Sequence, residues 1–147
     1  MKKKLDAAYG VIGLGRFGEA LATMLAQSGN EVIAVDKDEK KIREIRQYTD
    51  CAFVADNLSA DTLKEIGIQN CDVVIICIGE QVDVSVLTTM SVIEMGVPRV
   101  IAKALSPEQG AVLEKLGAEV VYPERDMALR LGKKLLSNNF LDRKSVV

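Results

Sequence analysis

Three glycines that follow a short apolar run constrain the fold of this chain more than any other feature. Residues 9–20 read Y-G-V-I-G-L-G-R-F-G-E-A, so Gly13, Gly15 and Gly18 come directly after that run. Gly13 lets a strand turn sharply into a helix, Gly15 has no Cβ to keep a pyrophosphate off the backbone, and Gly18 lets the helix lie close to the sheet. The spacing therefore predicts a strand, a tight loop and a helix whose free N–H groups face an anion.

The residues around the glycines make this motif more specific than a GxGxxG pattern alone, which also occurs by chance in loops. Residues 7–12 are typical of a strand, and residues 17–27 carry apolar side chains at helical spacing. A second apolar run, residues 31–35, ends at Asp36, where a ribose-binding acid belongs. The alternative role for Asp36 is only to open the next helix, but Asp38 fits that N-cap position better. We therefore expect Asp36 to bind the ribose of an adenine nucleotide, and its charge disfavours a 2′-phosphate.

Strand and helix signals alternate along the whole chain and predict one α/β domain over residues 1–147. Ser106 is expected to cap the fifth helix, with Gln109 closing a capping box. Six strands in this alternation predict a Rossmann-type, doubly wound parallel sheet, most simply in the order 3-2-1-4-5-6. The predicted strands are residues 7–12, 31–35, 51–55, 72–77, 99–103 and 119–122.

The candidate binding site lies where the strands of such a sheet end, beside the switch point between strands 1 and 4. Asp56 or Asn57 is placed to accept from the adenine amine, although either fits equally well as the approach to the next helix. The candidate residues at these strand ends and in the glycine loop are Gly13, Leu14, Gly15, Arg16, Phe17, Gly18, Asp36, Lys37, Asp56, Asn57, Ile78, Gly79, Glu80 and Lys103.

Arg16 adds a permanent cation to the phosphate loop. Backbone N–H groups and the helix dipole are enough for many diphosphates. An added guanidinium suits a ligand with more terminal charge, such as ADP or ATP, and Lys103 is a candidate second cation. The alternatives are a salt bridge from Arg16 to Glu19 and a solvated tip for Lys103.

Composition excludes several other classes of protein. With 19 basic and 21 acidic residues the net charge is -2, which provides no positive field for nucleic acid. The longest apolar runs are far shorter than the ~20 residues that span a bilayer, so we expect a cytoplasmic chain that is not itself inserted in the membrane. The cysteines, Cys51, Cys71 and Cys77, lie beside or within apolar strands and are expected to be buried, reduced thiols. The alternative for Cys77, at the end of a strand that should face the nucleotide, is a redox role.

An NAD-dependent oxidoreductase domain is the alternative function for this fold. Hydride transfer usually needs an acid or base near the nicotinamide and a substrate pocket. The chain has no histidine, and the sheet takes up almost its whole length. These features favour a binding regulator over an enzyme.

At the level of motifs the chain resembles the RCK (also called KTN, or TrkA-N) domain family. The resemblance rests on V-I-G-L-G-R-F-G at residues 11–18, A-D-N-L at residues 55–58, I-C-I-G at residues 76–79, V-I-A-K at residues 100–103 and Y-P-E-R-D-M at residues 122–127. Members of that family are nucleotide-binding regulators of potassium channels and transporters, including the cytosolic subunits of Ktr and Trk uptake systems. The resemblance implies ATP, ADP or NAD(H) as ligand, homodimers that assemble into larger rings, and a membrane potassium-translocating partner at the inner face of the cell membrane.

The same resemblance gives roles to the last helix, expected over residues 124–140. Glu124 opens this helix and is a candidate contact to the nucleotide phosphates through Mg²⁺ or Ca²⁺, or simply a favourable charge at the helix N-terminus. The helix carries two apolar stripes, of which only one is needed to pack on its own domain. The second stripe predicts pairing with another copy of the chain. Full-length members commonly carry a further ligand-binding lobe after this helix. The stripes are Ala128, Leu131 and Leu135, and Leu129, Leu136 and Phe140.

Overall fold

The computed structural model describes residues 7–140, which form a six-stranded sheet with helices on both faces. The strand order is β3-β2-β1-β4-β5-β6 and every pairing is parallel, which confirms the predicted topology. The chain reverses its direction of travel between β1 and β4, so the switch point lies there. The elements are β1 (Ala8–Ile12), α1 (Arg16–Gln27), β2 (Glu31–Asp36), α2 (Glu39–Ile45), β3 (Cys51–Val54), α3 (Ala60–Ile66), β4 (Val73–Ile76), α4 (Val82–Glu94), β5 (Arg99–Lys103), α5 (Pro107–Leu116), β6 (Glu119–Val121) and α6 (Pro123–Lys134).

The core is split by the sheet into two layers, because successive side chains of a strand point to opposite faces. Val11 of β1 packs in the layer under α1 and α2, together with Ala22 and Ile42. The neighbouring residue, Ile12, packs in the other layer, which includes Leu63, Val92 and Leu113 from α3, α4 and α5. Apolar residues on both faces explain why the strands read as continuous apolar runs.

Three of the helices are capped at their N-termini by the side chains of the predicted residues. The Asp38 carboxylate accepts from the Lys40 amide at 2.9 Å, and the hydroxyls of Ser59 and Ser106 cap α3 and α5. The predicted capping box of α5 is wrong in one bond. The Gln109 side chain accepts from the amide of Leu105 at 2.9 Å and not from that of Ser106, because Gln109 points into the protein towards α4.

One of the three cysteines differs from the expectation of a buried thiol. Cys71 and Cys77 are buried, but Cys51 is exposed. Cys51 begins β3, which lies at the end of the sheet and pairs only with β2 among the described strands. An edge strand has a neighbour on one side only, and three of the four residues of β3 are exposed, with only Ala52 buried.

The last helix leaves the sheet and buries none of its residues. α6 begins at Pro123, as predicted to within one residue, but ends at Lys134, and a π-helical turn, Leu135–Phe140, follows. The expectation that one apolar stripe packs on its own domain is wrong, since Leu129 is 57% exposed and Leu131 52% exposed. The helix extends away from the edge strand β6, beyond the reach of the core. The side chain of Phe140 lies outside the described residues.

Tyr122 holds the start of α6 against α5. A Cβ built at Gly110 would overlap the Tyr122 hydroxyl, so this ring lies directly on the α5 backbone. The Arg125 guanidinium lies 3.8 Å from the centroid of the same ring. Within residues 7–140, none of the helices has the length and apolar content needed to cross a bilayer.

Candidate functional site

The glycine loop brings the N-terminus of α1 to the end of β1. Gly13 has φ +100°, which side chains disfavour, and a Cβ there would lie 2.8 Å from the carbonyl oxygen of Cys77. A Cβ at Gly18 would overlap the carbonyl oxygen of Gly13, so α1 approaches the loop as closely as the backbone allows. Gly15 is the N-cap of α1, no side chain caps the helix, and the space where its Cβ would stand is open. The first turn of α1 therefore presents uncapped N–H groups and the positive end of its dipole to this space.

Asp36 connects this loop to the end of β2. One carboxylate oxygen accepts from the backbone N–H of Leu14 at 2.7 Å, and the other accepts from the N–H of Asp38 at 2.8 Å. Each carboxylate oxygen has two lone pairs, so both still have acceptor capacity for a ribose hydroxyl. The carboxylate is thus fixed in place by the same loop that presents the N–H groups.

A cleft of about 790 Å³ opens between the ends of the strands, with the glycine loop near its centre. This volume is in the range of small-molecule and cofactor sites. Three lysines and three carboxylates line it, so its formal charge is balanced. A bound polyphosphate would depend on the N–H groups and the helix dipole as well as on the lysines. The charged lining residues are Lys37, Lys41, Lys103, Asp36, Asp56 and Glu80.

The structure brings most of the predicted site residues together around the cleft. Lining residues from the predicted set are Gly13, Leu14, Gly15, Asp36, Lys37, Asp56, Asn57, Ile78, Gly79, Glu80 and Lys103. Four predicted residues lie outside this lining. Phe17 and Gly18 pack α1 onto the sheet, whereas Arg16 and Glu124 are exposed.

The two residues considered for the adenine differ in their hydrogen bonds. The Asn57 carbonyl oxygen accepts from the Ser59 amide at 3.1 Å and from the Thr62 hydroxyl at 2.8 Å. Asn57 therefore has the helix-approach role, and only its NH₂ group is free for a ligand. The Asp56 carboxylate has no hydrogen bond within residues 7–140, so it keeps its full acceptor capacity.

Lys41, Gln81 and Val84 line the cleft but were not predicted. All three belong to, or cap, the first turn of a helix that begins after a strand end. In a doubly wound sheet the crossover helices start on the same side as the carboxyl ends of the strands. The first turns of the helices that follow the strand ends are therefore the sequence signal for these three residues.

Neither thiol nor metal chemistry is built into the cleft by the described residues. Burial raises the pKa of Cys77 to about 12, in spite of the nearby Lys103 ammonium. This thiol stays protonated at neutral pH and is a poor nucleophile. The part of the chain that the structure describes contains no group of three or more His, Cys, Asp or Glu side chains that could hold a metal ion.

A glycine loop under a helix N-terminus and a carboxylate at the end of β2, both at the switch point, define a Rossmann-type domain. Residues 9–123 match the sequence profile of the TrkA-N domain, and the chain belongs to the TrkA-N domain family. This confirms the family resemblance drawn from the motifs.

Curated relatives carry names from potassium uptake. The chain is 42% identical to the Ktr system potassium uptake protein C of Bacillus subtilis (strain 168), over 97% of this chain and 63% of the relative. It is 39% identical to the Ktr system potassium uptake protein A of Vibrio alginolyticus, over 93% of this chain and 63% of the relative. The chain therefore spans less than two thirds of the length of these relatives.

Solved structures share the fold. The TrkA-N domain of the inner membrane protein ybaL from Escherichia coli superposes with a TM-score of 0.76 at 20% identity, over 88% of this chain and 96% of that domain. The GsuK channel bound to NAD superposes with a TM-score of 0.75 at 24% identity, over 94% of this chain and 25% of that chain. GsuK bound to ADP superposes with a TM-score of 0.73 at 25% identity, over 90% of this chain and 34% of that chain.

Proposed function

We propose that this chain is the adenine-nucleotide-binding regulatory part of a potassium channel or transporter. The observation that carries the proposal is the cleft at the switch point, where Asp36 and the uncapped first turn of α1 face the same space. The carboxylate suits a ribose and the N–H groups suit a pyrophosphate. The names of the Ktr relatives support potassium transport as the process that this binding controls.

The ligand is ATP, ADP or NAD(H). All three share the adenosine and the diphosphate that the cleft suits, and GsuK, which has the same fold, has been solved with ADP and with NAD. Asp36 disfavours a phosphate on the ribose 2′-oxygen. ATP and NAD(H) differ from ADP in having a further group beyond the diphosphate, which would extend from β1 towards β4 and β5.

Arg16 is the residue that we assign to the terminal phosphate of ATP. It is the first residue of α1, adjacent to the open N-cap, and its side chain is exposed and outside the lining of the cleft. It makes no ion pair with Glu19 in the described part of the chain, so the guanidinium is available to an anion. Arg16→Ala should weaken ATP more than NAD. Arg43→Ala, which removes an exposed arginine from α2, is the matched control. Equal losses of ATP and NAD affinity would refute the assignment.

The pairing surface is α6. Five apolar side chains, three in α6 and two in the turn that follows it, are 46% to 61% exposed. They are Met127, Leu129, Leu131, Leu135 and Leu136. A helix with both apolar stripes in solvent is stabilised by burying them against a partner. We assign this surface to a second copy of the chain, and rings of such pairs to the inner face of the membrane, where a potassium-translocating subunit senses their geometry.

The nucleotide would act through differential affinity. A ligand shifts an equilibrium between two subunit arrangements only by the difference between its binding free energies for the two, typically ~1 to 3 kcal/mol. ATP and ADP should therefore give different assembly geometries in small-angle scattering and different potassium fluxes in vesicles containing the membrane partner. Identical geometry and identical flux would refute this mechanism.

The Mg²⁺ or Ca²⁺ predicted beside Glu124 stays a prediction, because such an ion would be bound by the nucleotide phosphates together with this one carboxylate. Glu124 is exposed, and residues 7–140 contain no group of three metal-ligating side chains around it. No step of the proposal uses a cation.

A thermal-shift panel of ATP, ADP, AMP, NAD and NADH, each with and without Mg²⁺, tests the proposed function. A ligand that binds only the folded state at 100 times its dissociation constant adds about 2.7 kcal/mol to the free energy of unfolding. We expect stabilisation by at least one of ATP, ADP and NAD(H). No shift with any of them would refute the proposal, and turnover of NADH with an added substrate would favour the oxidoreductase alternative.

A further inference from the structure

Gln109 is a buried polar residue that does not line the cleft. Its side chain is only 3% exposed, although glutamine is usually found at the surface. Its carbonyl oxygen accepts from the Leu105 amide at 2.9 Å, and its NH₂ group donates to the Ser85 hydroxyl at 3.3 Å. A buried amide is costly unless both ends are paired, and here each end is paired with a different element.

Both of these elements contribute residues to the lining of the cleft. Leu105 follows Lys103 by two residues, and Lys103 ends β5 and lines the cleft. On the α4 side, the Ser85 amide donates to the carbonyl oxygen of Gln81 at 3.0 Å, and Gln81 also lines the cleft. A continuous chain of hydrogen bonds therefore runs from the first turn of α4, through Gln109, to the turn after Lys103.

We propose that Gln109 is a positioning residue of the cleft, which holds the end of β5 against the first turn of α4 and so places Lys103. The proposal rests on the proposed nucleotide binding and deepens it. Neighbouring strands are about 4.8 Å apart, so β5 ends roughly 10 Å from the glycine loop on β1. AMP, with one phosphate, is too short to reach that end. The group beyond the diphosphate of ATP or NAD extends towards it, so Gln109 contributes to the selection of ligands by length.

Calorimetric titration of the whole chain with AMP, ATP and NAD tests the proposal. Gln109→Met keeps the side-chain volume and removes both hydrogen bonds. We expect about fivefold weaker binding of ATP and NAD and less than a twofold change for AMP. Gln109→Glu should restore the wild-type ratio of affinities, because burial favours its neutral carboxyl group, which can accept from the Leu105 amide and donate to the Ser85 hydroxyl.

Thr89→Val is the matched structural control. The Thr89 hydroxyl is buried and donates to the Ser85 carbonyl oxygen at 2.8 Å, but it has no bond to the turn after β5. This variant should lower the melting temperature and leave the ratio of ATP to AMP affinity unchanged. Ser85→Ala removes only the α4 end of the link and should change that ratio in the same direction as Gln109→Met. It serves as the test if the Met variant does not fold.

A double-mutant cycle separates positioning from general stability. In a Lys103→Ala background, Gln109→Met should have little further effect on ATP affinity, because the residue that it positions is gone. Additive effects of the two changes, or equal losses for AMP, ATP and NAD, would overturn the positioning role while leaving nucleotide binding intact. Failure of the wild-type chain to bind any of the three ligands would instead overturn the proposed function, and this inference with it.

Discussion

Replacing Asp36 by Asn should destabilise the protein even when no nucleotide is present. The Asp36 carboxylate accepts from two backbone N–H groups, those of Leu14 and Asp38. An asparagine has one acceptor oxygen and one NH₂ group at the same positions. Only one of the two N–H groups can keep its bond, and the other then faces a second donor.

The size of the effect follows from the exposure of these two amides. A hydrogen bond to a charged group contributes about 1.5 to 3 kcal/mol, and a buried donor without a partner costs about 1 to 3 kcal/mol. The bond to Asp38 is exposed, whereas the bond to Leu14 is partly buried. The asparagine should therefore turn its oxygen to Leu14 and leave the Asp38 amide to water. We expect a decrease of about 1 to 2 kcal/mol in the free energy of unfolding.

Urea denaturation of the nucleotide-free protein measures this change, and Asp56→Asn is its control. Asp56 lines the same cleft, and its carboxylate has no hydrogen bond within the described residues. The control should change the free energy of unfolding by less than about 0.5 kcal/mol. Equal stability of the two variants would show that Asp36 does not hold the loop, and the account of the site would be wrong at its centre.

Four further predictions concern packing, thiol reactivity, the pH dependence of stability, and pairing. Gly18→Ala should lower the free energy of unfolding by about 1 to 3 kcal/mol, because the added methyl overlaps the Gly13 carbonyl oxygen; an unchanged melting temperature would contradict this. Alkylation of the native protein near pH 8, followed by mass spectrometry, should modify the exposed Cys51 and spare Cys77, whose pKa is raised by burial to about 12; rapid labelling of Cys77 would count against the buried thiol. The pKa of the Cys77 thiol in the unfolded chain is 9.0, below its value in the folded protein. The contribution of Cys77 to the free energy of unfolding should therefore be lost as the pH rises from about 9 towards 12. Leu136→Asp should dissociate the proposed dimer in sedimentation experiments with little change in monomer stability, since the side chain is 61% exposed; a dimer that the substitution leaves intact would remove the pairing surface from α6.

The fold could be predicted from local signals because nearly all of them agree with it. Apolar runs gave the strands, and the caps at Asp38, Ser59 and Ser106 gave the starts of three helices. Exposure was harder to predict. Cys51 lies in an apolar run, but the run is an edge strand, and only the strand order reveals which strands are edges. The same holds for α6, whose direction depends on how Tyr122 packs on Gly110.

The site was predictable in its outline and not in its hydrogen bonds. The rule that ligands bind at strand ends found Asp36 and Lys103, because it depends only on topology. It did not show that Asp36 holds the Leu14 amide, since these residues meet only when β1 and β2 pair. The sequence likewise predicts only a local capping box for Gln109, because its contacts with distant residues form only in the folded protein. Its partner Ser85 is distant in sequence, and a local motif carries no information about it.

The most direct test of the central claim is a crystal structure of the protein grown with saturating ADP or NAD. We expect the pyrophosphate within hydrogen-bonding distance of the backbone N–H groups in the first turn of α1, and a ribose hydroxyl on the Asp36 carboxylate. With NAD, the group beyond the diphosphate should extend towards Lys103. A cleft that holds no nucleotide under these conditions, or a nucleotide bound elsewhere on the protein, would contradict the account.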